Sequence, residues 1–182
     1  MKPLRYYINL IEDDNDMHVY HGGSYRGGDY NPNMKGEPGN IRPLGKGIYT
    51  AITPNHAQMY VKYAPGNGQV TKFKVDKSAN IYPYGGAAWR EESAEKQDWW
   101  RNKSKEIQQE FEKKNLVTFN TFRKAYNDWE DTLSNSRVNP ELVRQTLVQL
   151  GIDGTKQVID TDVVEIVFYN TRVLIPVKSA VT

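Results

Sequence analysis

Residues 89–133 contain neither proline nor glycine and are dense in Glu, Lys, Gln and Arg. An uninterrupted block of helix formers of that length has one good solution, helix, because nothing in it breaks the backbone ladder. The flanks are the opposite: short β-branched and aromatic runs punctuated by Gly, Pro and Asn. Strands at both ends with helices between them predict an α+β domain, one domain over 1–182 with a helical insert at about 89–133. Helices are expected over 90–114 and 118–133. Trp99, Trp100, Ile107 and Phe111 form the apolar stripe of the first, and Phe122, Tyr126 and Trp129 that of the second. Asn139-Pro140 starts a further helix that stops at Gly151, and Thr53-Pro54 caps one carrying Ala57, Tyr60 and Val61 that ends near 65–66. Another spans 3–12, with Leu4, Tyr7, Ile8 and Ile11 on one face. Strands are expected at 17–20, 48–52, 69–75, 81–82, 163–168 and 173–177. Between the first two lies a Gly-, Pro- and Asn-rich loop over 22–47, and loops of that length in compact domains usually serve function.

Several chemistries are excluded at once. The chain has no cysteine, so it has no disulfide, thiolate metal site or thiol nucleophile. Its three histidines, His18, His21 and His56, lack metal-ligand spacing, and no metal is expected. A net charge of +2 does not argue for nucleic acid or membrane. No apolar run approaches a membrane span and the N-terminus lacks a signal-peptide core, so a cytoplasmic protein without a membrane partner is expected. Gly45-Lys46-Gly47 is no phosphate loop, because its upstream glycine is misplaced and Gly47 stands where Ser or Thr is required.

Three places carry polar chemistry inside β-like runs. Glu165 sits in Val163-Val164-Glu165-Ile166-Val167-Phe168, where a carboxylate is expensive to bury. It reads as an anion placed to face a developing cation, or as an edge-strand residue facing water or a lysine. Tyr49, and Tyr60 eleven residues on, offer two aromatic faces for a flat cation, or ordinary core packing. His21, followed by Gly22 and Gly23, reads as a ribose-binding imidazole beside a backbone that a ligand amide can approach, or as a histidine next to a glycine turn. Arg26, Lys35 and Arg42 in the loop read as pyrophosphate contacts or as solvated charges. The aromatics of 89–133 read as packing, or as stacking surfaces for an acceptor.

The order of these segments adds a further reading. Tyr20-His21-Gly22-Gly23, then Gly45-Lys46-Gly47-Ile48-Tyr49-Thr50, then Ala57-Gln58-Met59-Tyr60, then Val164-Glu165 resemble the His-Tyr-Glu signature of ADP-ribosyltransferases, the group that includes diphtheria toxin and the poly-ADP-ribose polymerases. Leu150-Gly151-Ile152-Asp153-Gly154 followed by Val164-Glu165-Ile166-Val167-Phe168 is similar to the ending of such domains in phage and mobile-element proteins. The resemblance implies a split β-sandwich with a helical segment in the middle. It implies NAD as substrate, with Glu165 catalytic, His21 and Gly22 on the ribose and nicotinamide amide, Tyr49 and Tyr60 flanking the nicotinamide, and Gly23 and Thr50 in the same binding site. Gly23 departs from the Thr or Ser usual there.

The resemblance further implies a mono-ADP-ribosyltransferase acting on a macromolecular acceptor, protein rather than nucleic acid, in a bacterial or phage-infected cell, as a toxin or effector. The arginine-directed branch carries Glu or Gln two residues before the catalytic Glu. Val163 stands there instead, which implies an acceptor other than arginine. An NAD glycohydrolase would use the same residues, and an inactive binding or virion-associated module would keep the fold alone.

Overall fold

The computed structural model describes residues 16–23, 44–62, 68–116, 128–133, 138–160 and 163–177. The expected helix over 3–12, most of the 22–47 loop with Arg26, Lys35 and Arg42, and the first part of the 118–133 helix lie outside the described residues. Seven strands, β1 (His18–Gly23), β2 (Ile48–Ala51), β3 (Gln69–Val75), β4 (Ile81–Tyr84), β5 (Gly154–Asp160), β6 (Val163–Phe168) and β7 (Leu174–Pro176), form one sheet in the order β4-β5-β6-β2-β1-β3-β7. All neighbours are antiparallel except β4 and β5. Five helices accompany them among the described residues: α1 (Pro54–Val61), α2 (Gly85–Arg90), α3 (Ala94–Lys113), α4 (Asp128–Leu133) and α5 (Pro140–Gln149). The chain is α+β, as the order of its segments predicts.

Local chemistry explains the boundaries. The Thr53 hydroxyl accepts from the His56 amide and Pro54 opens α1; Asn139 accepts from the Glu141 and Leu142 amides and Pro140 opens α5. Each such cap is worth about 1 kcal/mol. Gly151, at φ +77°, takes the left-handed conformation after α5. The helix expected from 90 to 114 is α3, which starts later, at Ala94, because Ser93 is extended and accepts from the Lys96 amide; the short helix α2, just before it, is not among the expected helices.

Two strands differ from expectation. β1 extends past Tyr20 to take in Gly22 and ends at Gly23. A Cβ on Gly22 would stand 1.7 Å from the Ala57 carbonyl oxygen, so the glycine lets α1 lie directly on the strand. β5 is absent from the sequence-based expectations because Thr155, Lys156 and Gln157 carry no apolar alternation. Their polar groups are handled within the fold. The Tyr169 hydroxyl donates to the Leu44 carbonyl at 2.8 Å and accepts from Thr155 Oγ1 at 2.9 Å, and Lys156 Nζ meets Glu92 Oε1 at 2.6 Å.

The two faces of the sheet bury different cores. On one, α3, α4 and α5 bring Trp100, Ile107, Phe111, Trp129 and Leu147 against Tyr82 and Val167. The expected helical insert therefore builds the main core over its described part. Trp129 anchors it: its ring is fully buried and its indole N–H donates to Ser104 Oγ at 2.9 Å. On the other face, Val19, Phe73 and Val75 of β1 and β3 meet Ile166 and Phe168 of β6. The halves of the sheet that share this second core are held in register at one residue pair between β1 and β2, Tyr20 with Ala51. Among the described residues no helix is long and apolar enough to cross a membrane.

Candidate active site

Glu165 is placed by alternation on β6. Ile166 and Phe168 point into the second core and Val167 into the first, so Glu165 shares the first face with Val167. β6 is an interior strand: Glu165 lies in register with Ala51 of β2 on one side and Gln157 of β5 on the other. Only 8% of the residue is exposed. No lysine or arginine among the described residues pairs with it. Both structural readings of this residue, a water-facing edge position and a lysine partner, are therefore absent from the described residues. Burial pushes its carboxyl above the usual carboxylate range, and a hydrogen bond from Tyr60 pulls the other way. That bond, from the Tyr60 hydroxyl to Oε1, is long at 3.4 Å.

α1 delivers Tyr60. Ala57, fully buried, sits on Gly22, and Tyr60 Cβ lies 3.3 Å from the point where a Gly22 Cβ would be. The sequence assigns Gly22 to a ligand amide, but the side of the glycine that lacks a Cβ is filled by α1. Burial, followed by the negative charge of Glu165, raises the Tyr60 phenol above its usual range, so it is a donor throughout the physiological range.

His21 and Tyr49 form a second pair. The imidazole Nδ1–H donates to the Tyr49 carbonyl at 2.8 Å, which leaves the Nε2 position with the lone pair. Burial lowers the imidazole pKa and the backbone bond raises it, burial being the larger effect, so the ring is neutral at pH 7. A Cβ on Gly23 would come within 2.7 Å of Nε2. The glycine that departs from the Thr or Ser pattern thus gives the imidazole its room. The Tyr49 ring packs against the first core; its hydroxyl donates to the Gly45 carbonyl at 2.9 Å and accepts from the Leu44 amide at 3.3 Å. Gly45 is left-handed, at φ +82°, and a Cβ on Gly47 would stand 2.5 Å from Val167, which accounts for both glycines of the Gly-Lys-Gly segment.

Thr50, expected in the NAD site, is 3% exposed and donates its hydroxyl to the Ile166 carbonyl at 2.9 Å. That hydroxyl locks β2 to β6 instead of facing a ligand. The structure thus joins Glu165 to Tyr60 and His21 to Tyr49, and β2 links the pairs, since Ala51 opposite Glu165 is two residues from Tyr49. Among the described residues no group of three His, Cys, Asp or Glu side chains could hold a metal ion.

Two neighbours escaped the sequence reading. Thr71 lies in register with His21, and Gln157 with Glu165. Among the described residues Thr71 Oγ1 and Gln157 Oε1 are both buried without a hydrogen-bond partner. Neither carries a local sequence signal, because each acquires meaning only across a strand pair. Comparison with protein-family models, with curated proteins and with solved structures finds no match.

Proposed function

We propose that this chain is a mono-ADP-ribosyltransferase that cleaves the nicotinamide–ribose bond of NAD and transfers ADP-ribose to a macromolecular acceptor, protein rather than nucleic acid. The observation that carries the reading is Glu165: a carboxylate on an interior strand, 8% exposed, with a tyrosine hydroxyl and no cation against it among the described residues. An uncompensated buried carboxylate is destabilising, and it persists where an incoming cation supplies the missing charge. NAD brings that cation as its nicotinamide ring, and the charge passes to the ribose as the bond breaks. The second core, shared by two halves of a sheet registered through one residue pair, is consistent with a split β-sandwich.

In this reading the electron pair of the glycosidic bond leaves with the nicotinamide nitrogen. The ribose carbon becomes oxocarbenium-like, as in glycoside hydrolysis, and ionised Glu165 stabilises it. The acceptor N–H or O–H adds to that carbon and releases its proton to solvent. His21, neutral and with a lone pair at Nε2, accepts from a ribose hydroxyl. Tyr49 and Tyr60 border the nicotinamide. Glu165 must be ionised, and its carboxyl is raised by burial, so activity rises with pH through an acid limb above the ordinary carboxylate range. The test is incubation with labelled NAD and a bacterial lysate, alongside NAD-dependent melting. A labelled band and a raised Tm are expected. Label retained only in free ADP-ribose would make water the acceptor, and no label with no Tm shift would sink the reading.

A further inference from the structure

We propose that Gln157 is the acceptor-positioning residue of this site: its side-chain carbonyl receives a hydrogen bond from the incoming N–H or O–H nucleophile. The inference rests on the transferase reading and assigns a side to each substrate. Gln157 is in register with Glu165 on β5, so their side chains leave the same face about 5 Å apart at Cβ. Tyr60 reaches Glu165 from α1, which lies on β1, across β2 from β6. Gln157 approaches from β5, the opposite flank. The leaving nicotinamide belongs with Tyr60 and Tyr49, so the flank opposite it is where a nucleophile enters.

The state of the carboxamide points the same way. Among the described residues Gln157 Oε1 is buried and has no hydrogen-bond partner, whereas its neighbours Thr155 and Lys156 meet Tyr169 and Glu92. A buried carbonyl oxygen without a donor is unfavourable in the empty protein and favourable once a ligand provides the donor. Glutamine is uncharged, so it accepts from the nucleophile without adding a second anion beside Glu165 or competing for the oxocarbenium. The only titratable side chain recorded against Glu165 among the described residues is Tyr60, from α1.

The experiment uses the full chain and NAD, with water and methanol as probe nucleophiles, reading nicotinamide release, the ratio of methyl-ADP-ribose to ADP-ribose, and NAD-induced Tm. Gln157→Met, near in size and without an acceptor, is expected to lower kcat at least tenfold with both nucleophiles while KM for NAD and the Tm shift stay within twofold. Gln157→Glu keeps an oxygen acceptor and places a second carboxylate beside Glu165. It is expected to hold kcat within about threefold at its optimum and to move the acid limb of the pH–rate profile upward by about one unit. Unchanged kcat in Gln157→Met, or a parallel loss of NAD binding, would overturn the proposal while leaving the transferase reading intact. If Gln157→Met does not fold, the pH limb of Gln157→Glu decides: an unmoved limb overturns the proposal. A wild-type protein that neither binds NAD nor releases nicotinamide would overturn both.

Discussion

Gly22→Ala isolates the packing that holds Tyr60 over Glu165. Gly22 lies in a strand and not in the left-handed region, so alanine is conformationally acceptable there and by itself would stabilise by about 0.4–1 kcal/mol through the unfolded chain. The obstacle is steric. The new Cβ would meet the Ala57 carbonyl oxygen at 1.7 Å and the carbonyl carbon at 2.7 Å, both backbone atoms of a helix that cannot rotate out of the way. Restoring ordinary contact moves α1 by about 1.5–2 Å. Overpacking of this kind costs about 1–3 kcal/mol, net of the small entropic gain. Tyr60 moves with its helix, and its bond to Glu165, already 3.4 Å long, opens. A misplacement of about 1 Å costs on the order of 10²-fold in rate. Denaturant unfolding and nicotinamide release measure the two effects separately. Ala57→Gly is the control: it leaves the offending carbonyl in place and should not rescue Gly22→Ala. A Gly22→Ala protein with wild-type stability and wild-type turnover would refute the reasoning.

Three further outcomes follow from the same geometry. Glu165→Gln is expected to raise stability near neutral pH. The folded carboxyl is held above its unfolded value, so its protonated form favours the fold at low pH and ionisation opposes it as pH rises through the folded pKa; the gain in Tm should therefore shrink toward pH 4. Gly23→Ser brings a Cβ against the imidazole at 2.7 Å, and displacement of His21 is expected to raise KM for NAD more than it changes stability, measured by kinetics and melting on one preparation. Trp129→Ala empties the centre of the first core and removes the indole N–H that donates to Ser104; a loss of about 3–5 kcal/mol in denaturant unfolding is expected, and a loss below about 1 kcal/mol would contradict the packing described.

The parts of this fold legible from sequence are those whose cause is local. Thr53-Pro54 and Asn139-Pro140 announce α1 and α5 because caps are made within a few residues, and the apolar run of β6 announces a buried strand. β5 was hidden because its polar side chains are satisfied by distant residues: Tyr169 for Thr155, and Glu92 for Lys156. The late start of α3 was hidden for a different reason, since residues 91–93 are two helix-forming glutamates and the serine that caps the helix. The glycines after His21 read as a strand end and β1 ends at Gly23; what the sequence did not show is that α1 and the imidazole occupy the space a Cβ would fill. At the site, Glu165, His21 and Tyr60 were legible because a buried acid and a fixed order of segments are sequence properties. Gln157 and Thr71 were not, because pairing across a sheet leaves no mark on either strand alone.

The most direct test of the central claim is nicotinamide release from NAD by the wild-type protein beside Glu165→Gln, at saturating NAD and at a pH above the acid limb. The account predicts measurable release by the wild type and a loss on the order of 10²-fold or more in the variant, with NAD binding retained. Equal rates in the two proteins would contradict it, because the buried carboxylate would then play no part in breaking the bond.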